Sequence, residues 1–176
     1  MGAAFSFRIA HRELIFSSVR HTLFGGIVYL VAMLRNRSVP VDTVMPHIFY
    51  RNLDEAIDWL AKVFGFEEHF RYGDPVAGAQ LQLGKAWIMV STVRPGRATP
   101  IEAGCRTQAL TIFVEDVESR FDRVRAAGAT VIEELNETVY GELQFVVEDL
   151  EGHQWIFSRH ARDLSPADWG ATIANP

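Results

Sequence analysis

One stretch of sequence pattern occurs twice in this chain, and the repeat constrains the fold more than any other feature. Residues 48–65 read IFYRNLDEAIDWLAKVFG, and residues 112–128 read IFVEDVESRFDRVRAAG. Each copy has an apolar strand-like run, an Asn or Asp in the N-cap position, a helical pattern and a final Gly. Two copies of such a unit predict two modules that bury their apolar faces together. Ligand sites favour the interfaces between modules, so a pocket between them is the first candidate site.

Three further strand-like runs follow the helical pattern in each copy. They lie at residues 66–71, 79–83 and 86–92 in the first copy and at 130–134, 142–148 and 154–159 in the second. The predicted domains are an N-terminal extension at 1–40, a first module at 41–95, a linker at 96–107, a second module at 108–160 and a tail at 161–176. In the tail, Ser165 before Pro166 predicts a short helix that reaches Trp169.

Composition and charge indicate which molecules the protein can bind and in which compartment it is expected. Residues 41–176 carry a net charge of −9 and contain no basic cluster, so nucleic-acid binding is not expected. The single cysteine, Cys105, cannot form an internal disulfide, and nothing in the composition points to secretion. The sequence therefore favours a cytoplasmic protein.

The first 40 residues differ from the rest, with five arginines and one acid, Glu13. Their most apolar run, Leu23 to Leu34, has 12 residues, whereas a bilayer-spanning helix needs about 20. A targeting leader would carry a small-residue cleavage site, and none follows clearly. We interpret this segment as a poorly ordered extension, or as a start codon placed upstream of a true start at Met33 or Met45, and expect no membrane association.

Three segments resemble the vicinal oxygen chelate superfamily, and specifically its glyoxalase-like, bleomycin-resistance-like branch. They are MPHIFYRNLDEAIDWLAKVFGF at 45–66, LTIFVEDVESRFDRVRAAGA at 110–129 and VEDLEGHQWIFSRH at 147–160. The resemblance implies an α+β fold of two βαβββ modules, whose eight strands form a curved mixed sheet with a concave pocket and helices on the outer face. It also implies a homodimer, since drug-binding relatives hold their ligands at subunit interfaces.

Catalytic members of that superfamily, which include glyoxalase I and extradiol dioxygenases, bind a divalent ion through His and Glu on the first and fourth strands of each module. The resemblance places those positions at Met45, Met89, Ala109 and Ile156 of this chain. None of these is a usual ligand for such an ion. His47 lies one pleat along from Met45, but a single imidazole does not make a metal site. We therefore expect neither a metal nor another cofactor.

Strand alternation predicts which side chains face the concave pocket. The predicted ligand-binding residues are His47, Phe49, Trp87, Met89, Thr111, Phe113, Phe145 and Ile156. Phe145 is expected to face Ile156 across a four-residue turn at 149–152. The aromatic residues could instead fill the core. His47 could be a hydrogen-bonding contact or a general base, or it could be satisfied by a backbone carbonyl or by water.

Other polar residues are less strongly indicated as members of the ligand site. His153 follows the turn glycine and is expected to serve the structure there, while His69 and His160 are expected at exposed positions. Glu142 could contact a ligand at the pocket rim together with Tyr140, Gln144 and Arg71, but exposure at a strand edge is its expected state. No phosphate loop, no serine or cysteine triad motif and no acid–base pair is recognisable, so no catalytic residue is assigned.

The sequence thus predicts a metal-independent binding protein that holds a small apolar or aromatic molecule. The alternative is a metal-dependent lyase, isomerase or dioxygenase of the same superfamily, which needs at least three converging nitrogen or oxygen ligands. A third hypothesis is an interaction or structural role, which an occluded pocket filled by Trp87 and Phe113 would favour.

Overall fold

The structure is a computed structural model that describes residues 44–174 throughout. Before them it describes only two short strands, Leu23–Phe24 and Ile27–Val28, which pair antiparallel. These strands belong to a compact unit at Met1–Val41, separate from the unit at Asp42–Pro176. The remaining expectations for residues 1–40 lie outside the described residues.

The first module has the predicted order of one strand, one helix and three strands. Its elements are β1 (His47–Tyr50), α1 (Leu53–Trp59), β2 (Glu67–Tyr72), β3 (Gly78–Leu83) and β4 (Ala86–Thr92). Helix α1 continues directly into a π-helical turn at Leu60–Phe64. The strands lie in the order β1-β4-β3-β2, with β1 parallel to β4 and the other pairs antiparallel.

A short helix, α2 (Pro100–Ala103), lies between the modules, within the segment that the sequence predicted to be a linker. Thr99 accepts a hydrogen bond from the Glu102 backbone N–H, and the Glu102 carboxylate accepts one from the Thr99 backbone N–H. This capping box of Thr and Glu three residues apart was visible in the sequence as a helix-start signal.

The second module repeats the first. Its elements are β5 (Ala109–Phe113), α3 (Val117–Ala126), β6 (Thr130–Glu137), β7 (Glu142–Glu148) and β8 (Gln154–His160). The strand order β5-β8-β7-β6 has the same pattern of parallel and antiparallel pairs. A 3₁₀ turn follows at Pro166–Trp169. The predicted α+β fold of two βαβββ modules is confirmed.

Both repeated helices begin at the residues that the sequence indicated. Asn52 Oδ1 accepts from the Glu55 backbone N–H at 3.3 Å, and Asp116 Oδ1 accepts from that of Ser119 at 2.9 Å. The first helical segment ends at Gly65, which adopts the left-handed conformation with φ of 79°. Glycine has no Cβ to clash in that conformation, so it is well suited to stop the helix.

The eight strands form two four-stranded sheets, where the resemblance implied one eight-stranded sheet, because no strand pairing joins the two sheets within residues 44–174. The modules meet instead through the sheet faces that the helices cover. Phe64, at the end of the first helical segment, packs edge-on against Trp155 and Phe157 of β8, with ring centroids 5.4 and 5.0 Å apart. One hydrophobic core therefore serves both modules, and each sheet keeps a second face that none of the helices within residues 44–174 covers.

Asp149 connects the modules through buried hydrogen bonds. Its Oδ2 accepts from the Tyr50 hydroxyl at 2.6 Å and from Trp155 Nε1 at 3.0 Å. Its Oδ1 accepts from the backbone N–H groups of Glu151 and His153, both at 3.0 Å. Burial and the adjacent Asp149 carboxylate hold the pKa of Tyr50 well above the ordinary 10.0. The tyrosine of one module is thus kept protonated by its contact with the other.

Two arginines of α3 bind the end of the first helical segment. Arg123 donates to the carbonyls of Ala61 and Lys62 at 2.6–3.0 Å, and Arg120 donates to the carbonyl of Phe64. Carbonyls at a helix C-terminus lack intrahelical donors and carry partial negative charge, so guanidinium groups stabilise this end.

Among the described residues, no helix combines the length and the apolarity needed to cross a bilayer.

Candidate functional site

We use the term open face for the side of each sheet that the helices do not cover. On β1, Ile48 and Tyr50 are buried in the core, whereas His47 is exposed and Phe49 is half-buried on the opposite side. His47 lies beside Met89 of β4, and Met89 lies beside Gln80 of β3. His47, Met89 and Gln80 therefore form one row across the open face of the first sheet.

Aromatic side chains flank this row. The guanidinium of Arg97 lies over the ring of Phe49, 5.0 Å from its centroid. Trp87 is half-buried and meets the His69 ring edge-on, with centroids 5.3 Å apart. A surface of this kind suits the planar face of an apolar or aromatic molecule.

His69 and Gln80 are the pair that sequence reasoning missed. His69 is exposed, as predicted, but its Nδ1 also lies 2.6 Å from Gln80 Oε1. An amide oxygen only accepts, so Nδ1 carries the proton in this contact. The alternation in GAQLQL, residues 78–83, already placed Gln80 among the open-face positions, and this signal could have found it.

The open face of the second sheet is more exposed. On β5 the alternation is clear: Ile112 is buried, whereas Ala109, Thr111 and Phe113 are exposed, Phe113 by 66%. Ile156 of β8 lies beside Thr111. Three of the predicted ligand-facing residues, Thr111, Phe113 and Ile156, therefore share this face.

Phe145 is a correction to the predicted site. It pairs with Phe157, not with Ile156. It is fully buried, stacks on Phe157 at 5.3 Å and meets Phe121 of α3 at 5.1 Å. The reason is the loop between β7 and β8, which has five residues and not four, since Glu148 pairs with Gln154. A shift of one residue moves a strand side chain to the opposite face.

A polar group occupies one end of the second open face. Glu142 accepts from the buried Ser158 hydroxyl at 3.3 Å and from His160 Nδ1 at 3.0 Å. The side chain of Glu142 is 17% exposed, so the predicted strand-edge exposure is wrong, because these two donors hold it against the sheet. The histidine contacts the carboxylate and not the serine, so this is not the hydrogen-bond order of a nucleophilic triad. The group can supply polar contacts to a ligand.

The fourth histidine of residues 44–174, His153, has the structural role that the sequence predicted. Its Nε2 donates to the backbone carbonyl of Phe49 at 3.0 Å, and its ring meets Tyr50 edge-on at 5.1 Å. This contact ties the β7–β8 loop of the second module to β1 of the first.

A cavity of about 260 Å³ lies at the seam between the modules. Its lining includes Val44, Pro46 and Trp87 of the first module and Leu110, Thr111 and Trp155 of the second. Trp87 and Thr111 are thus the predicted site residues that one cavity brings together. Phe145 lies in the core, and the others divide between the two open faces, with His47, Phe49 and Met89 on the first sheet and Phe113 and Ile156 on the second.

The arrangement does not fit a metal centre. Met89, Ala109 and Ile156 stand on β4, β5 and β8 at the positions for which the sequence resemblance implied ion ligands, and Met45, at the fourth such position, lies two residues before the start of β1. Within residues 44–174 no three His, Cys, Asp or Glu side chains cluster closely enough to hold an ion. We derive no chemical step through a metal.

Comparisons with known proteins agree with this fold. A model of the glyoxalase/bleomycin resistance protein/dioxygenase superfamily matches residues 41–157. The chain is 29% identical over 138 residues to an uncharacterized protein of Mycobacterium bovis, covering 74% of this chain and 91% of that protein.

Solved structures show the same similarity. TioX from Micromonospora sp. ML1 is 32% identical, with a TM-score of 0.56 over 66% of this chain and 96% of TioX. The fosfomycin resistance protein FosX from Listeria monocytogenes has a TM-score of 0.53 at 13% identity, over 74% of this chain and 99% of FosX, and so shares the fold. With two βαβββ modules and a family model that matches about two-thirds of its length, the chain belongs to the glyoxalase/bleomycin resistance protein/dioxygenase superfamily.

Proposed function

We propose that this protein binds a small apolar or aromatic molecule on its open sheet faces, without a metal. The observation that carries the proposal is the chemistry of the strand positions where the resemblance implies metal ligands. They hold Met45, Met89, Ala109 and Ile156, and the half-buried rings of Phe49 and Trp87 share the first open face.

The energetics of these side chains favour an apolar ligand. A dication loses hydration when it enters a protein, and apolar side chains offer no ligand atoms in exchange. The same side chains gain about 25 cal/mol for each Å² of apolar surface that a ligand removes from water. Methionine also adapts its shape to an irregular apolar partner, which suits Met45 and Met89.

We further propose that the protein acts as a homodimer. Phe113 is 66% exposed on β5, and β1 and β5 are each paired on one side only within the described residues. An exposed edge strand and a large exposed aromatic favour coverage by another chain. A second copy would turn two half-open faces into an enclosed pocket, and light scattering of the purified protein, with twice the chain mass expected, tests this.

The alternative is a metal-dependent lyase, isomerase or dioxygenase of the same superfamily. It requires at least three nitrogen or oxygen ligands around one centre. Glu142 and His160 are adjacent and supply one carboxylate and one imidazole, but they do not complete such a set within residues 44–174. The contact chemistry of the open faces therefore favours binding over metal catalysis.

Binding of fluorene, a planar tricyclic hydrocarbon, tests the proposal. Equilibrium dialysis is expected to show saturable binding to the wild-type protein. Trp87→Ala should weaken binding roughly tenfold, since an aromatic contact and its buried area contribute about 1–2 kcal/mol.

Trp169→Ala is the matched control, because Trp169 lies in the C-terminal 3₁₀ turn, with its ring against that of Tyr140, and does not line the seam cavity. The control should bind fluorene as the wild-type protein does. Non-saturable uptake of fluorene, or equal affinity in the wild type and in Trp87→Ala, would contradict binding at this face.

A further inference from the structure

Gln80 carries a buried hydrogen-bond donor that the described residues leave unused. Its side chain is 0% exposed, and its Nε2 has no hydrogen-bond partner although its Oε1 is held by His69. A buried amide without a partner destabilises a fold by about 1–3 kcal/mol, so native proteins seldom keep one without a reason. The unused N–H group lies on the same open face as the proposed ligand.

A β-bulge positions this pair. The register between β2 and β3 shifts between Glu68 and Phe70, so that Phe70, and not His69, is paired with Gln80. The extra residue in β2 leaves His69 beside Gln80 as well, with its Nδ1 on the amide oxygen. Bulges re-aim side chains and are common next to functional sites. Here the bulge fixes the amide oxygen on a histidine and leaves the amide N–H groups for another acceptor.

The neighbours of Gln80 are apolar and adaptable. Met89 lies beside it on β4, and the half-buried Trp87 packs on its partner His69. Access of a ligand to the buried Nε2 requires a neighbouring side chain to rotate, and both Met89 and Trp87 keep some exposure to solvent. The flexible methionine makes such a rotation easy.

We propose that Gln80 Nε2 donates a hydrogen bond to a carbonyl oxygen of the bound molecule. The site thus selects uncharged, planar, apolar ligands that carry a carbonyl group over hydrocarbons of the same shape. His69 acts as the positioning residue that orients the amide. This inference rests on the proposed function, since it names a polar feature of the same ligand.

Three tricyclic probes of the same shape test it. Fluorene has a CH₂ group in its central ring, 9-fluorenone has a carbonyl at that place, and carbazole has an N–H donor. Equilibrium dialysis with chromatographic detection should show that the wild-type protein binds 9-fluorenone roughly five- to tenfold more tightly than fluorene, as one hydrogen bond of ordinary strength predicts. Gln80→Leu should bring this ratio close to one.

Gln82→Leu is the matched control. Gln82 lies two residues along the same strand on the same face, and its Nε2 donates to the Gly84 carbonyl at 2.8 Å, so its loss should leave the ratio unchanged. Urea unfolding adds a second readout: Gln80→Leu should be as stable as the wild-type protein or more stable, because it removes an unpaired buried donor.

Different results of these binding measurements would contradict the role of Gln80 alone or the proposed function as well. If fluorene and 9-fluorenone bind equally well, or if Gln80→Leu keeps the wild-type ratio, the role of Gln80 is wrong while apolar binding stands. If carbazole binds best, the amide presents its oxygen and the inference is overturned. If no probe binds, the proposed function and this inference both fail.

Discussion

At the scale of single residues, Asp149 shows how a polar side chain can hold two modules together. It is 6% exposed and accepts four hydrogen bonds, among them one from Tyr50 of the first module and one from Trp155 of the second. A buried carboxylate is tolerated where several donors satisfy it. The Asp-Leu-Glu-Gly segment in the sequence indicated a turn here but not the contact across the modules.

Replacing Asp149 should therefore destabilise the whole unit. We expect Asp149→Ala to lower the free energy of unfolding by about 3 kcal/mol, because it leaves the Tyr50 hydroxyl and the Trp155 indole N–H buried without an acceptor. Urea denaturation followed by tryptophan fluorescence measures the change. Asp163→Ala, at an exposed position in the tail, should change stability by less than about 0.5 kcal/mol, and equal losses in both variants would contradict the assignment.

The same contact predicts how stability depends on alkaline pH. The folded state raises the pKa of Tyr50 above 10.0, so above that pH the unfolded chain loses a proton that the folded protein keeps. Below pH 10 the full contribution of this contact to the free energy of unfolding is present. The contribution is lost as the pH rises towards the pKa of Tyr50 in the folded state, by up to about 1.4 kcal/mol per pH unit.

Tyr50→Phe removes the titrating hydroxyl and should flatten this alkaline loss. Tyr72→Phe, at an exposed tyrosine, should retain it. Urea midpoints measured between pH 8 and pH 11 provide the comparison, and the same slope in the wild type and in Tyr50→Phe would show that another group governs the alkaline transition.

At the scale of elements, the contact between the two helices consists of hydrogen bonds that arginines of α3 donate to backbone carbonyls of the first helical segment. Arg123 of α3 spans the carbonyls of Ala61 and Lys62, and Arg120 reaches the carbonyl of Phe64. These carbonyls lie in or beside the π-helical turn at Leu60–Phe64, and the arginines supply donors to that end of the helix.

Loss of this contact should measurably weaken the pairing of the modules. We expect Arg123→Ala to lower the free energy of unfolding by about 1 kcal/mol, a figure that allows for its exposure to solvent. Asp122→Ala on the same helix is the control, since Asp122 is exposed and a surface substitution of this kind should change stability by less than about 0.5 kcal/mol. An Asp122→Ala loss as large as that of Arg123→Ala, measured by urea denaturation, would argue against a specific helix-end contact.

Elements that depend on local chemistry were predictable from the sequence. The caps at Asn52 and Asp116 and the stop at Gly65 follow from residues a few positions apart, and the structure has all three. Phe145 was placed on the wrong face because its direction depends on one residue of loop length between β7 and β8.

Features that depend on long-range register were not predictable in this way. The bulge that brings His69 to Gln80 is a mismatch between two strands, and neither strand shows it alone. The open-face positions of Thr111 and Ile156 followed from alternation, but the division of the eight strands into two sheets depends on how the modules pack.

At the scale of the whole molecule, two modules share one core and leave two open faces. Phe64 joins the first helical segment to the second sheet, and His153 joins the second module to the backbone of Phe49. The side chains proposed to contact ligand lie on the sheet faces away from this core. The proposed ligand contacts and the core therefore use different faces of the same strands, so the open faces can carry apolar residues without a role in the core.

The most direct test of the account is the melting temperature of the purified protein after treatment with EDTA, measured with 9-fluorenone and with Zn²⁺, Ni²⁺ or Mn²⁺ separately. At a 9-fluorenone concentration about 100 times its Kd, we predict stabilisation by about 2.7 kcal/mol, or a rise of roughly 5–10 °C. The metal ions should give no rise. A rise with one of these ions that EDTA reverses, together with no response to 9-fluorenone, would contradict metal-independent binding of an apolar ligand.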